Sequence, residues 1–267
     1  MKTKHQSYFM EHHHEGLRLA NKMDPQYVID KYLRDYIPTH PIIFLDVGCG
    51  PGTLCKALCK QYSGSFFHCL DISLDRLKQA KTKAKPIFCT QGDILSLPYQ
   101  TNSFDIVFSR FIFEYMTDHN TAIKEMIRVC KKGGLLIIQD LDGQLLFHYP
   151  EFSDLTERMN LMIHYLSDNY GFDPFMGRKL YYLCVKNGLT NIQVNIEPYH
   201  VICGKISTSD LNNWQQKLSA LLPKMEKALN SLQKAIQLKN DCLAYLQHED
   251  TLLYSILFSV SAIKPEK

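Results

Sequence analysis

The sequence of 267 residues lacks any run approaching the ~18 consecutive apolar residues of a membrane-spanning helix. Its opening stretch, MKTKHQSYF, has no apolar region of the kind a secretory leader needs. Charge of one sign is scarce as well. A formal net charge of +3 and a pI of about 8.3 are too weak to argue for nucleic acid or an anionic membrane surface. The nine cysteines contain no C-x-x-C pair; the nearest approach is Cys55 and Cys59, one helical turn apart. An odd, unpatterned set fits reduced thiols and argues against a disulfide framework or a zinc site. There is no internal repeat, no low-complexity tract and no linker composition that would split the chain. A hydrophobic share of 45% is ample for a core. These absences lead us to expect one soluble, cytoplasmic domain over 1–267.

What is present is centred on Ile42 to Leu54, IIFLDVGCGPGTL. Ile42 to Leu45 read as a short buried strand, and Asp46 ends the apolar run. Gly48, Gly50 and Gly52 then alternate through a tight turn. Leu54, Leu58 and Tyr62 resume at helical spacing. A strand that turns through glycines into a helix brings backbone N–H groups close to a ligand. The spacing is G-x-G-x-G and not the G-x-G-x-x-G of dinucleotide sites, and Asp46 would repel a pyrophosphate.

Further units follow in order. Phe66 to Asp71 is a second apolar strand ending in an acid, 21 residues beyond Gly50, with Ser73 placed to cap the next helix. Pro86 to Gln91 is a third strand, followed by Gly92–Asp93. Ser103 to Arg110 is a fourth, its end at Ser109 and Arg110 lining the crevice where open α/β sheets bind ligands. Asp118 opens a helix with Ile123, Met126, Ile127 and Cys130 on one stripe, closed by Lys131, Lys132 and Gly133. Leu135 to Leu141 is strand five. Alternating βα units of this kind specify a parallel, doubly wound sheet. Beyond Asp142, Phe152, Leu155, Met159, Met162 and Leu166 form a helical stripe. Gly177 to Leu180 (GRKL) opens a helix to Lys186, and a strand starts at Ile192. Leu211, Trp214, Leu218, Leu221, Met225, Leu229, Leu232 and Ile236 mark one long amphipathic helix, or two kinked near Pro223. Its stripe packs on the core or meets a second copy. Leu252 to Ile263 has a strand's length.

Asp46, the glycine turn, Asp71 and Asp93 together resemble the class I S-adenosylmethionine-dependent methyltransferases. The match is close over 42–142 and looser elsewhere, where Tyr8, E-G-L-R-L (Glu15 to Leu19) and the G-R-x-L stretch are similar to one small-molecule group of that family. The resemblance implies a Rossmann-like α/β fold with seven strands, mostly parallel with the last antiparallel, carrying helical lid insertions. It divides the chain into a 1–38 N-terminal cap, a 42–142 cofactor-binding core and insertions at 143–190 and 208–247. The implied cofactor is S-adenosyl-L-methionine. The residues expected to hold it are Asp46, Gly48, Cys49, Gly50, Gly52, Asp71, Ile72, Asp93, Ile94, Ser109, Arg110 and Arg18. Asp71 would accept both ribose hydroxyls, Asp93 the adenine amino group, and Ile94 would read the ring edge. Arg18, in a segment too apolar for a solvated arm, would grip the methionine carboxylate.

The expected reaction is methyl transfer to an oxygen or nitrogen of a small-molecule acceptor. Nucleic acid is disfavoured as a substrate, because Ser109-Arg110-Phe111-Ile112 stands where base-amine methyltransferases carry D/N-P-P-Y. Two other readings stay open: a catalytically silent cofactor-binding subunit whose C-terminal helices serve a partner, and a nicotinamide-dependent oxidoreductase, which Asp93 and the glycine spacing disfavour. No catalytic base is assigned among Glu114, His119, Asp140, Asp142, His148 and Tyr149. No metal is expected either; His12, His13 and His14 read as a solvated helix start.

Overall fold

The computed structural model describes Tyr8, Met10, residues 15–81 and residues 87–267. Seven strands form one sheet: β1 Ile43–Val47, β2 Phe66–Asp71, β3 Phe88–Gln91, β4 Phe104–Arg110, β5 Cys130–Tyr149, β6 Thr190–Cys203 and β7 Leu252–Ile263. Their order is β3-β2-β1-β4-β5-β7-β6. The first five run parallel to one another, and β7 enters antiparallel between β5 and β6. The expected doubly wound sheet with a reversed last strand is what the chain forms.

Alternate residues of the central strands feed two separate cores, as a sheet covered on both faces requires. Phe44, Phe67 and Phe108 face one side. There they pack on Leu54 and Leu58 of α3 (Thr53–Gln61) and Leu77 of α4 (Leu74–Ala80). Their neighbours Leu45, Leu70 and Val107 face the other side. That core includes Ile123 and Met126 of α5 (His119–Val129) and Leu180 and Cys184 of α7 (Leu180–Lys186). A third apolar cluster joins Met10 to α6 (Ser153–Tyr170), α8 (Thr208–Leu229) and α9 (Leu232–Gln247). Ahead of β1, α1 (Glu15–Lys22) is followed by α2 (Pro25–Val28). Asp24 caps α2 by accepting from Gln26 N–H and Tyr27 N–H, and Pro25 sits at the first helical position where its missing N–H costs nothing. No helix among the described residues is long and apolar enough to cross a membrane. All nine cysteines are free thiols.

Several expected boundaries move. β1 runs through Asp46 to Val47, because both β2 and β4 pair with it there. α5 stops at Val129: Cys130 pairs with Phe104 and is drawn into β5, so Lys131, Lys132 and Gly133 lie in a strand irregularity and end no helix. The long C-terminal helix breaks at Asn230, in the left-handed conformation, with Ser231 capping α9; Pro223 stays inside α8. Trp214, Leu218, Leu221, Met225 and Leu229 are buried within the chain, whereas Leu232 and Ile236 are exposed. Leu17 and Tyr27 of the N-terminal segment are exposed too. His12, His13, His14, Phe9 and Pro86 lie outside the described residues.

Candidate active site

A cavity of about 440 Å³ opens at the carboxyl ends of β1, β2, β3 and β4, where an open parallel sheet offers its crevice. That volume lies within the roughly 300–1,000 Å³ that holds small-molecule ligands. Of the twelve residues expected to bind, nine line it: Arg18, Gly48, Cys49, Gly50, Asp71, Ile72, Asp93, Ile94 and Arg110. Asp46, Gly52 and Ser109 are not on its wall. Asp46 is buried beneath the turn with Cys55 Sγ 3.9 Å from its Oδ2, and burial pushes its carboxyl well above the usual range. Gly52 begins α3, and a Cβ there would stand 2.7 Å from Ala80 Cβ. It lets α3 lie against α4. Ser109 is fully buried within β4.

The glycine turn differs in one respect from the sequence expectation. Its amides are spent internally: Gly48 and Cys49 N–H both donate to the Leu70 carbonyl, Gly50 N–H to Asp71 Oδ2, and Gly52 N–H to the Cys49 carbonyl. Pro51 has none. The turn therefore presents no free amide to an anion, which is what a pyrophosphate would need. Asp71 is the tie that shapes it. Besides Gly50 N–H at 2.8 Å, its carboxylate accepts Ser73 N–H at 2.9 Å and faces the Arg76 guanidinium at 3.3 Å. Asp93 Oδ1 accepts Leu95 N–H at 2.9 Å.

Arg18 lines the cavity, but its fork is engaged. Nε and Nη2 donate to Glu15 at 2.8 and 2.7 Å, and Nη1 donates to Asn213 of α8 at 3.2 Å. Glu15 is completely buried and also accepts the Tyr8 hydroxyl at 2.9 Å. These contacts fasten α1 to the helical layer.

Of the six candidate bases, Glu114 alone is on the cavity wall. It is 1% exposed, Oε2 has no hydrogen-bond partner among the described residues, and burial raises its carboxyl pKa against the opposing pull of Lys217 and Tyr115. Asp140 holds its backbone, accepting Glu114 N–H on Oδ2 at 3.0 Å. Asp142 is engaged by Arg178, whose Nη2 and Nε donate at 2.6 and 2.8 Å. His119 bonds the Phe113 carbonyl, His148 bonds Thr156, and Tyr149 is exposed. The same wall carries residues that sequence reasoning missed: Lys22 of α1, Tyr199 of β6 and Lys217 of α8. Lys22 stands over the Phe111 and Tyr199 rings at 5.1 and 5.6 Å. Lys217 had a signal in the sequence, being a lysine three residues after Trp214 and four before Leu221 on an apolar stripe.

Residues 45–138 match the model of a family described as a methyltransferase domain. Malonyl-[acyl-carrier protein] O-methyltransferase 1 of Coxiella burnetii is 32% identical over 117 residues, which is 43% of this chain and 40% of that one. The probable methyltransferase ltbC of Aspergillus luteorubrus is 37% identical over 138 residues, covering 46% and 47%. The chain thus spans less than half the length of either curated relative. Phosphoethanolamine N-methyltransferase 2 of Haemonchus contortus, solved with S-adenosyl-L-methionine, superposes with a TM-score of 0.55 at 18% identity, over 90% of this chain and 52% of that one. At that identity the likeness is one of fold.

Proposed function

This chain carries a class I S-adenosylmethionine-dependent methyltransferase domain, and from that premise we propose that it transfers a methyl group to an oxygen or nitrogen of a small-molecule acceptor. One observation carries the reading: Asp71, Asp93 and the glycine turn border one cavity with Glu114, and the turn keeps no amide for a pyrophosphate. A nicotinamide dinucleotide would find no phosphate cradle here, whereas a nucleoside with an amino-acid tail needs none.

The residues present fit S-adenosylmethionine. Gly50 has only Leu19 Cδ1, at 3.7 Å, near the place a Cβ would occupy, so a ligand can approach the backbone. Asp71 takes the ribose hydroxyls. Asp93 takes the adenine amino group, with Ile72, Ile94 and Met116 as apolar flanks to the ring. The cofactor, when bound, supplies a methyl on a sulfonium, already activated for in-line displacement. The protein's part is to orient the acceptor, worth up to ~7–11 kcal/mol, and to accept a proton where the acceptor atom must lose one. Glu114 does the latter through Oε2, and Asp140 is its positioning residue.

Thermal shift with S-adenosylhomocysteine and with NAD, followed by tritiated-methyl transfer into metabolite pools, tests the reading. S-adenosylhomocysteine should stabilise the protein and a labelled small molecule should appear. Stabilisation by NAD alone would overturn it, and binding without any labelled product would turn it into a silent cofactor-binding subunit. With an acceptor in hand, Glu114→Gln should slow transfer by about 10²–10⁴-fold.

A further inference from the structure

Lys217 and Lys22 border the cavity beyond Glu114, and their ammonium groups have no hydrogen-bond or ion-pair partner among the described residues. Lys217 is 8% exposed and rests on the Trp214 ring at 4.9 Å. Arg18 is already paired with Glu15. Arg110, on the same wall, bonds only the uncharged Gln139 and stacks on Phe111. Three cations therefore stand near Glu114, on a wall whose other carboxylates are Asp71, Asp93 and Asp118. Of the three only Lys217 is buried, and a buried charge without a partner is costly unless a ligand completes the pairing. Burial, and after it Lys22, Lys217, Arg110 and Arg18, push the imidazole of His200, beside Trp214, well below its usual pKa. Burial and the same crowding push Lys217 down as well.

Lys217 and Tyr115 are also walls of a second, smaller cavity of about 60 Å³. Its remaining lining is apolar and includes Met10, Met159, Met162, Leu221 and Met225. The volume is less than half of the ~150 Å³ apolar cavity that holds benzene, so it suits a short aliphatic group and no ring. A lysine at the junction of a polar cavity and a methionine-lined recess defines an amphipathic site.

We propose that the methyl acceptor carries an oxyanion seated between Lys217 and Lys22, with a short apolar group in the methionine-lined recess behind Lys217. The proposal rests on the methyltransferase reading and names the substrate class for that same site. The oxyanion is a recognition handle; carboxylate and phosphate share the chemistry.

Calorimetry on the full chain saturated with S-adenosylhomocysteine tests this with butanoate and butyl phosphate against butanol and butylammonium. The anions should bind at least about tenfold more tightly than the neutral and cationic probes, and which anion is preferred identifies the source. Binding should also take up protons, seen as a dependence of the heat on buffer ionisation. Lys217→Met should weaken the preferred anion about tenfold or more while S-adenosylhomocysteine affinity stays within about twofold. Leu221→Phe, which fills the recess without touching the charge, should abolish the advantage of butanoate over acetate and leave acetate binding intact. Equal binding of all four probes would overturn the proposal with the cofactor reading intact. So would an equal loss of S-adenosylhomocysteine affinity in Lys217→Met, since the lysine would then serve the cofactor's own carboxylate. Failure of S-adenosylhomocysteine to bind the unaltered chain would instead sink the methyltransferase reading.

Discussion

Asp71 serves the fold before it serves a ligand. Its carboxylate joins Gly50 N–H, Ser73 N–H and Arg76, so changing it loosens the turn as well as the site. Asp71→Ala should weaken S-adenosylhomocysteine ten- to a hundredfold, about 1.5–3 kcal/mol for charge-assisted hydrogen bonds, and should also lower the stability of the ligand-free protein. Calorimetry and urea unfolding read the two effects separately; full ligand affinity would remove Asp71 from the site. Lys22 gives a prediction in pH. Burial, then Arg18 and Arg110, lower its pKa to about 7 against the pull of Glu114 and Glu15. An unfolded lysine keeps its proton up to 10.5. Between those values the unfolded chain binds more protons, so stability should rise with pH across that window and level off below about 7, where both states hold the proton. Urea midpoints of Lys22→Met should lack this rise; a parallel rise in the variant would clear Lys22 of the effect. The acids stand out in the sequence because each falls at or near a strand's end, at a fixed offset from the glycine turn. The sequence marks Lys217 only as a lysine on an apolar stripe; its place on the cavity wall comes from tertiary packing, which brings α8 over the strand ends.

Among the elements, the glycine turn contains two glycines with different duties. Gly52→Ala must push α3 from α4, because its Cβ would meet Ala80 Cβ at 2.7 Å and Cα at 3.1 Å. It should cost about 1–3 kcal/mol in denaturant unfolding, as overpacked sites do. Gly50→Ala meets nothing closer than 3.7 Å, so its cost is the left-handed backbone, about 1–2 kcal/mol, and an obstructed ligand approach. Stability should suffer more at Gly52 and ligand affinity more at Gly50; the reverse ranking would mean that the cradle is misassigned. Elements with their own periodicity, such as α3, α4 and β7, could be read from the residues. Two of the misplaced boundaries involve partners remote in sequence. Phe104 takes Cys130 from the end of α5, and β2 with β4 extends β1 through an acid. Helical spacing across Asn230 concealed the break between α8 and α9, because Leu232 and Ile236 continue the stripe without being buried.

Over the whole molecule, α1 connects two bodies of structure. Glu15 holds Arg18 and Tyr8, Arg18 reaches Asn213 on α8, and Tyr8 lies under Arg76 from the cofactor side. Closing the cavity therefore means closing this clasp. Hydrogen exchange over 15–22 should slow when S-adenosylhomocysteine is added, and Glu15→Gln should accelerate it and destabilise the protein by about 3–5 kcal/mol, as breaking a buried pair does. Exchange that is fast and indifferent to ligand would show that α1 is not part of closure.

The place of β7 in the sheet also sets an order of assembly during synthesis. β1 to β5 can pair with one another as they emerge, since all five are present by residue 149. β6 has β7 as its sole neighbour, and β7 is the last of the seven to leave the ribosome. Until residues 252–263 arrive, Tyr199 has no sheet behind it, and the cluster beneath α8 lacks Leu253. The nascent chain thus builds its nucleoside end first and leaves the lysine end unfinished, exposing β6 and the methionine-lined helices for as long as translation of the last strand takes.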